Sequence, residues 1–179
     1  LGLPPRPPGR LPGVRGVPAV RITLALVLPA LLLAPAVRAG CPSTGGCPQP
    51  AVNGTQPCAD DMASWFEQAA NQEIPGGPPY MSIPVGSPST GNVPATVPCT
   101  ILKAIGWTES TWTQFCANCN QNGPTIISFD CGYGVTQVTS GMSTGNMGSF
   151  SFSPAQVASS APYNIATGAG ILAVKWIAT

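Results

Sequence analysis

Residues 100–112 read TILKAIGWTESTW and residues 164–179 read NIATGAGILAVKWIAT, and these two runs decide the fold class. In the first, Ile101, Ile105 and the pair Thr108/Glu109 recur every three to four residues, while Leu102 widens the apolar face, as in an amphipathic helix. Pro98 bounds this helix before, and the polar loop CANCNQNG (116–123) bounds it after. Gly106 lowers its propensity, at a cost of about 1 kcal/mol relative to Ala. Glu109 is thereby placed near the C-terminal end, on the side expected to be buried. In the second run Asn164 is the expected N-cap, and Ile165, Ala169, Leu172 and Trp176 form one apolar stripe that puts Trp176 in the core. The pattern stops at Thr179 without a cap or breaker, which predicts a chain incomplete at its C-terminus. Between the two helices, TIISF (125–129) predicts a short strand from its β-branched content. The stretch CGYGVTQVTSGM (131–142) opens as a glycine turn and then offers Val135, Val138 and Met142 at helical spacing. A mainly α fold with a little β structure follows.

Working outward, residues 41–98 hold 11 prolines in 58 positions and residues 99–179 hold 3 in 81. The compact part is therefore expected mainly in the second stretch, with a loop-rich, disulfide-tied segment before it. One helix interrupts that segment: Asp60 or Asp61 can cap MASWFEQAANQE (62–73), with Met62, Phe66 and Ala69 on one face. The following IPGGPPYMSIPVGSPSTGNVPATVP (74–98) has turn and polyproline character and either wraps the core or links to it.

Residues 22–36 form a 15-residue run without a charge, behind four arginines and ahead of Val37-Arg38-Ala39. This predicts a Pro-rich leader and secretory signal peptide over residues 1–39, cut after Ala39, and a secreted or periplasmic protein. Fifteen residues interrupted by Pro29 and Pro35 fall short of the roughly 20 that span a bilayer, so no stable transmembrane anchor is expected. All seven cysteines (41, 47, 58, 99, 116, 119 and 131) follow the cut, and export with this density predicts disulfides. Seven is odd. Cys41, directly after Gly40, is the expected unpaired thiol, with lipid anchoring through Cys41 as a lesser alternative. The remaining six leave 15 pairings open. Cys116 and Cys119 suit half of a zinc site, a redox pair or structural disulfides to separate partners; the last is favoured.

Five arginines precede residue 40, whereas two lysines and six acids follow it, a formal −4 for residues 40–179. A body of that charge has no clustered cations for nucleic acid. The absence of histidine removes Ser-His-Asp and Cys-His nucleophile systems. Chemistry is left to carboxylates, thiols and backbone groups. Glu109 is the only acid between Glu73 and Asp130, and its neighbours are Ile105, Trp107, Thr108, Ser110 and Trp112. An acid held among such groups loses the water that favours its charged form, so Glu109 is expected to stay protonated and to serve as a proton donor. An exposed helix glutamate is the plainer alternative. Trp107, Trp112 and Phe115 suit either sugar stacking or the core, and two of the three are expected in the core.

Three motifs then align in order. ILKAIGWTES resembles the helix ending in Glu-Ser of the soluble lytic transglycosylase catalytic domain, in the lysozyme-like superfamily that includes goose-type lysozymes. Residues 132–138 (GYGVTQV) are similar to that family's Gly-x-Gly-Leu-Met-Gln-Ile, and residues 164–172 (NIATGAGIL) to its Asn-Ile-x-x-Gly-x-x-Tyr-Leu. Val135, Thr136 and Ile171 depart from those patterns, and the Asn-Pro step after Glu-Ser is lacking. The resemblance covers residues 99–179 and leaves 40–98 outside it. It implies a lysozyme-like α+β catalytic domain that cleaves the β-1,4 bond between N-acetylmuramic acid and N-acetylglucosamine in peptidoglycan. It further implies that Glu109 is the general acid, that Ser110 supports it, and that Gln137 and the surrounding turn, with Tyr133, line the glycan groove. Asp130 stands where goose-type enzymes carry an aspartate that directs water. Ring closure to a 1,6-anhydro product, hydrolysis through Asp130, and glycan binding without turnover all stay open. No metal or organic cofactor is implied, peptidoglycan glycan strands are the expected partner, and the protein is expected to act as a monomer.

Overall fold

The computed structural model describes residue 41 and residues 45–78, 82–85 and 91–177; the leader, its cleavage point and part of the Pro-rich stretch lie outside the described residues. Four helices appear among them: α1 (Ala59–Ala70), α2 (Cys99–Ser110), α3 (Pro154–Ser159) and α4 (Ala161–Ile177). The strands form three separate antiparallel pairs. β1 (Asn53–Thr55) pairs with β4 (Asn122–Pro124), β2 (Ser82–Val85) with β3 (Gly91–Pro94), and β5 (Asn146–Met147) with β6 (Phe150–Ser151). The result is a mixed α/β domain with small sheets, where the sequence predicted a mainly helical one.

α1 packs chiefly on α4 and also on α2. Its N-cap is Cys58, not Asp60 or Asp61. Asp61, in the first turn, reaches back to accept the Cys58 N–H at 3.4 Å, and both acids sit at the positive end of the helix dipole. Met62 and Phe66 are fully buried beside Leu102 of α2, Val135, and Ile165 and Ala169 of α4. Burial of each large side chain is worth about 1.5–3 kcal/mol, so the helix of the Pro-rich stretch belongs to the core. The Phe66 ring lies against Gly106, where a Cβ would come within 2.4 Å of Phe66 Cζ. Glycine in the middle of α2 is thus the residue that lets α1 approach.

α4 is buried on most of its circumference, because a second cluster of Tyr133, Val138, Met142, Phe150, Phe152 and Val157 packs on its Tyr163 and Ile171 side. A helix enclosed on several sides need not be amphipathic, and α4 is apolar nearly all round. It starts at Ala161, with Pro162 in the first turn where the missing N–H is harmless. The expected cap, Asn164, lies inside the helix, its N–H donating to Ser160 O at 2.8 Å. The predicted stripe holds for Ile165 and Ala169, but Trp176 is 71% exposed beside an apolar depression that Val97, Cys99 and Ile101 also line. α4 has run past the core by that turn. Trp112 is half-buried with its ring 5.2 Å from that of Phe66, and Phe115 is buried, whereas Trp107 is exposed.

Residues 125–129 are not a regular strand. Thr125 and Ile127 make isolated bridges to Phe115 and Tyr133. Nor do residues 131–142 contain a helix, although Val135, Val138 and Met142 are all buried. Buried amide side chains take the backbone bonds that a sheet or helix would otherwise supply. Gln56 Oε1 accepts the N–H groups of Gln114 and Phe115 at 2.9 and 2.8 Å. Gln114 Nε2 donates to the carbonyls of Val157 and Ala158, both at 3.0 Å, while its Oε1 accepts the Val135 N–H at 3.1 Å. Buried backbone groups need partners, and these carboxamides provide them.

Three disulfides anchor the N-terminal stretch to the loop after α2: Cys41 with Cys116, Cys47 with Cys131, and Cys58 with Cys119. Cys41 is therefore not the odd thiol, and its sulfur is not available to a lipid anchor; Cys99 is the free cysteine. Cys116 and Cys119 bond to different partners, which leaves neither for a zinc site or a mutual redox pair.

Candidate active site

α2 ends where Thr111 and Trp112 both adopt left-handed backbone, at φ +52° and +58°. The Thr111 N–H donates to Trp107 O at 2.8 Å and the Trp112 N–H to Gly106 O at 3.2 Å, closing the last turn. Neither residue is glycine, so each conformation costs on the order of 1–2 kcal/mol, and the strain sits directly beside Glu109. Ser110 is buried. Its hydroxyl donates to Val135 O at 2.7 Å and accepts the Thr113 N–H at 3.1 Å. Ser110, expected among the residues that serve the substrate groove, is turned away from it: the side chain ties the end of α2 to the turn at residues 134–137.

That turn is held from below by α4. Asn164, fully buried, accepts the Thr136 N–H at 2.9 Å and donates to Tyr133 O at 2.7 Å. Gly168 leaves room for Thr136, since a Cβ there would lie 2.5 Å from its Oγ1. Gly134 has φ +66°, and a Cβ would meet Gln114 Oε1 at 2.1 Å, so both its conformation and its space demand glycine. Gln137 is left-handed at φ +47° and half-buried, with Nε2 donating to Gly134 O at 2.7 Å. Tyr133 is fully buried. Its hydroxyl donates to Gln49 O and accepts the Gln49 N–H, both at 2.8 Å, which corrects its expected place in the groove. Burial pushes the Tyr133 phenol above its ordinary value, with the backbone contact to Gln49 opposing in part.

The surfaces so positioned enclose an open cleft of about 490 Å³. α2 contributes Leu102, Ile105 and Glu109; the turn at 128–130 contributes Ser128, Phe129 and Asp130; residues 136–140 include Gln137; and α4 contributes Gly168, Ile171, Leu172 and Lys175. Of the predicted site residues, Glu109, Asp130 and Gln137 come together here, while Ser110 and Tyr133 lie behind the wall. Glu109 does not face the core, however. It is exposed, because the buried side of α2 is formed by Leu102, Gly106 and Ser110. Asp130, also exposed, accepts a hydrogen bond from Ser128 Oγ. The cleft therefore presents two carboxyl groups, one amide and one amine, over apolar ground from Ile105 and Leu172.

Phe129 and Lys175 escape sequence reasoning. A strand reading of TIISF hides the first, although Phe-Asp-Cys-Gly is turn-like, and the second reads as a cation suited to a helix C-terminus. Among the described residues no group of three or more Cys, Asp or Glu side chains converges in a metal-binding arrangement. No family model, no curated protein and no solved structure matches the chain.

Proposed function

We propose that the protein cuts peptidoglycan glycan strands, with Glu109 as the proton donor to the β-1,4 linkage between N-acetylmuramic acid and N-acetylglucosamine. The observation that carries this reading is the single cleft shared by Glu109 and Gln137, at the ends of two motifs that resemble those of lytic transglycosylases. The lysozyme-like fold assignment is part of the same proposal. Glu109 is exposed at the C-terminal end of α2, where a sugar seated in the cleft covers its carboxyl. The carboxylic acid gives its proton to the departing glycosidic oxygen. The resulting carboxylate takes the proton of the muramoyl C6 hydroxyl as that oxygen closes on C1, and a 1,6-anhydro end is formed. Gln137, fixed by its bond to Gly134 O, offers an amide to the sugar's polar groups.

A second reading rests on Asp130, which lines the same cleft and is held by Ser128. If this carboxylate directs water to C1, the outcome is hydrolysis. The three disulfides belong to an oxidising, extracytoplasmic environment, and no helix among the described residues is long and apolar enough to cross a membrane. The disulfides fit a secreted or periplasmic enzyme. Incubation with purified sacculi tests the reading. Wild type is expected to release anhydro-muropeptides, and Glu109→Gln to lower release by about 100-fold or more, the usual scale of a lost general acid. Products about 18 Da heavier would transfer the assignment to hydrolysis. Equal release by wild type and Glu109→Gln would remove Glu109 from the chemistry, and glycan binding without release by either would leave a wall-binding protein.

A further inference from the structure

Phe129 is 93% exposed, more than any other large apolar side chain among the described residues, and it stands on the rim of the Glu109 cleft. An isolated exposed phenylalanine is ordinary on a protein surface. This one is carried on an unusually well fixed turn. The Ser128 N–H donates to Gly132 O at 2.9 Å, the Cys131 N–H to Ser128 O at 3.0 Å, and the Gly132 N–H to Ser128 Oγ at 2.8 Å. Cys131 is left-handed at φ +63° and is bonded to Cys47. The backbone on both sides of Phe129 is thus tied in place, and the tie holds an apolar ring out in water, where it gives the fold almost no burial energy.

We infer that Phe129 is a platform for a pyranose ring of the substrate, a binding residue of the cleft that keeps the glycan in register with Glu109. The inference rests on the glycan-cleaving reading above. A pyranose has an apolar face of C–H groups and an equator of hydroxyls. A flat ring on one wall with Gln137, Asp130 and Lys175 nearby meets both characters, the usual mixture in small-ligand sites. Because the turn is already ordered, stacking on it requires little further loss of freedom. The other apolar walls of the cleft, from Ile105 and Leu172, lie on α2 and α4 and offer no flat ring to replace it.

The test is binding of soluble, peptide-free peptidoglycan glycan oligomers to the full chain carrying Glu109→Gln, which prevents turnover during titration. Phe129→Ala in that background is expected to weaken binding about five- to tenfold, with the thermal midpoint unchanged because the side chain is exposed. Phe129→Trp is expected to bind as tightly as phenylalanine or more so. Equal affinity with and without the Phe129→Ala substitution would overturn the platform while leaving glycan recognition intact. Weakening by Phe129→Trp as large as that by Phe129→Ala would overturn ring stacking as the cause. Absence of any oligomer binding by the Glu109→Gln protein, together with no muropeptide release by wild type, would overturn the platform and the glycan-cleaving reading together.

Discussion

Tyr133 shows how a residue set between two turn glycines can serve the fold. Its ring fills the second core cluster and its hydroxyl exchanges two hydrogen bonds with the Gln49 backbone, so it joins the N-terminal stretch to the turn that carries Gln137. Tyr133→Phe leaves the ring but strands the Gln49 groups, and a loss of about 1–2 kcal/mol in urea unfolding is expected. The pH dependence follows from burial. The folded state holds the phenolic proton above the ordinary tyrosine value of about 10, whereas the unfolded chain releases it there, so the unfolded state binds fewer protons and stability falls as pH rises past that value. Below about pH 10 this contribution is intact. Urea midpoints between about pH 9 and pH 11 should drop more for wild type than for Tyr133→Phe; parallel curves would show that this phenol does not govern the alkaline loss.

At the scale of elements, Gly106 makes opposite demands. Helix propensity alone predicts that Gly106→Ala stabilises α2 by about 1 kcal/mol. The crossing with α1 predicts the reverse, since the new methyl would overlap the Phe66 ring and displace a fully buried side chain. A net loss of about 1–3 kcal/mol is expected in chemical denaturation, and a rise in midpoint would refute this packing account. The salt bridge between Lys103 Nζ and Glu67 Oε1, 2.9 Å, also joins α1 to α2, but both side chains are solvent-accessible and such pairs contribute little. Contact at Gly106 dominates that interface.

For the whole molecule the disulfides decide how the loop after α2 is held. They close sequence separations of 75, 84 and 61 residues, and each bridge of that span is worth about 2–4 kcal/mol through the unfolded chain. The Cys47–Cys131 bridge also backs the turn bearing Phe129 and Asp130. Unfolded under non-reducing conditions, the protein is expected to titrate one thiol, and Cys99→Ser to titrate none. Finding one thiol still present in Cys99→Ser would contradict the pairing. Full reduction is expected to lower the thermal midpoint by well over 10 °C, because several kcal/mol are removed from a domain of this size.

The apolar face of α1, the helical span of α2 though not its buried side, the apolar character of α4 and the oxidising compartment were legible in the amino-acid sequence, because helix-forming periods and cysteine density are local properties of the chain. The turn at 134–137 was legible in its glycines. What the tertiary structure alone decided is the route of the chain between α2 and α3 and the direction in which Glu109 faces. Asn164 reads as a helix cap, and Gln56 and Gln114 fall outside every predicted element, yet their amides supply buried bonds to chain segments distant in sequence. The rotation of α2 depends on Phe66 meeting Gly106, a contact across 40 residues that no local pattern encodes, and that rotation turns Glu109 out of the core and into the cleft.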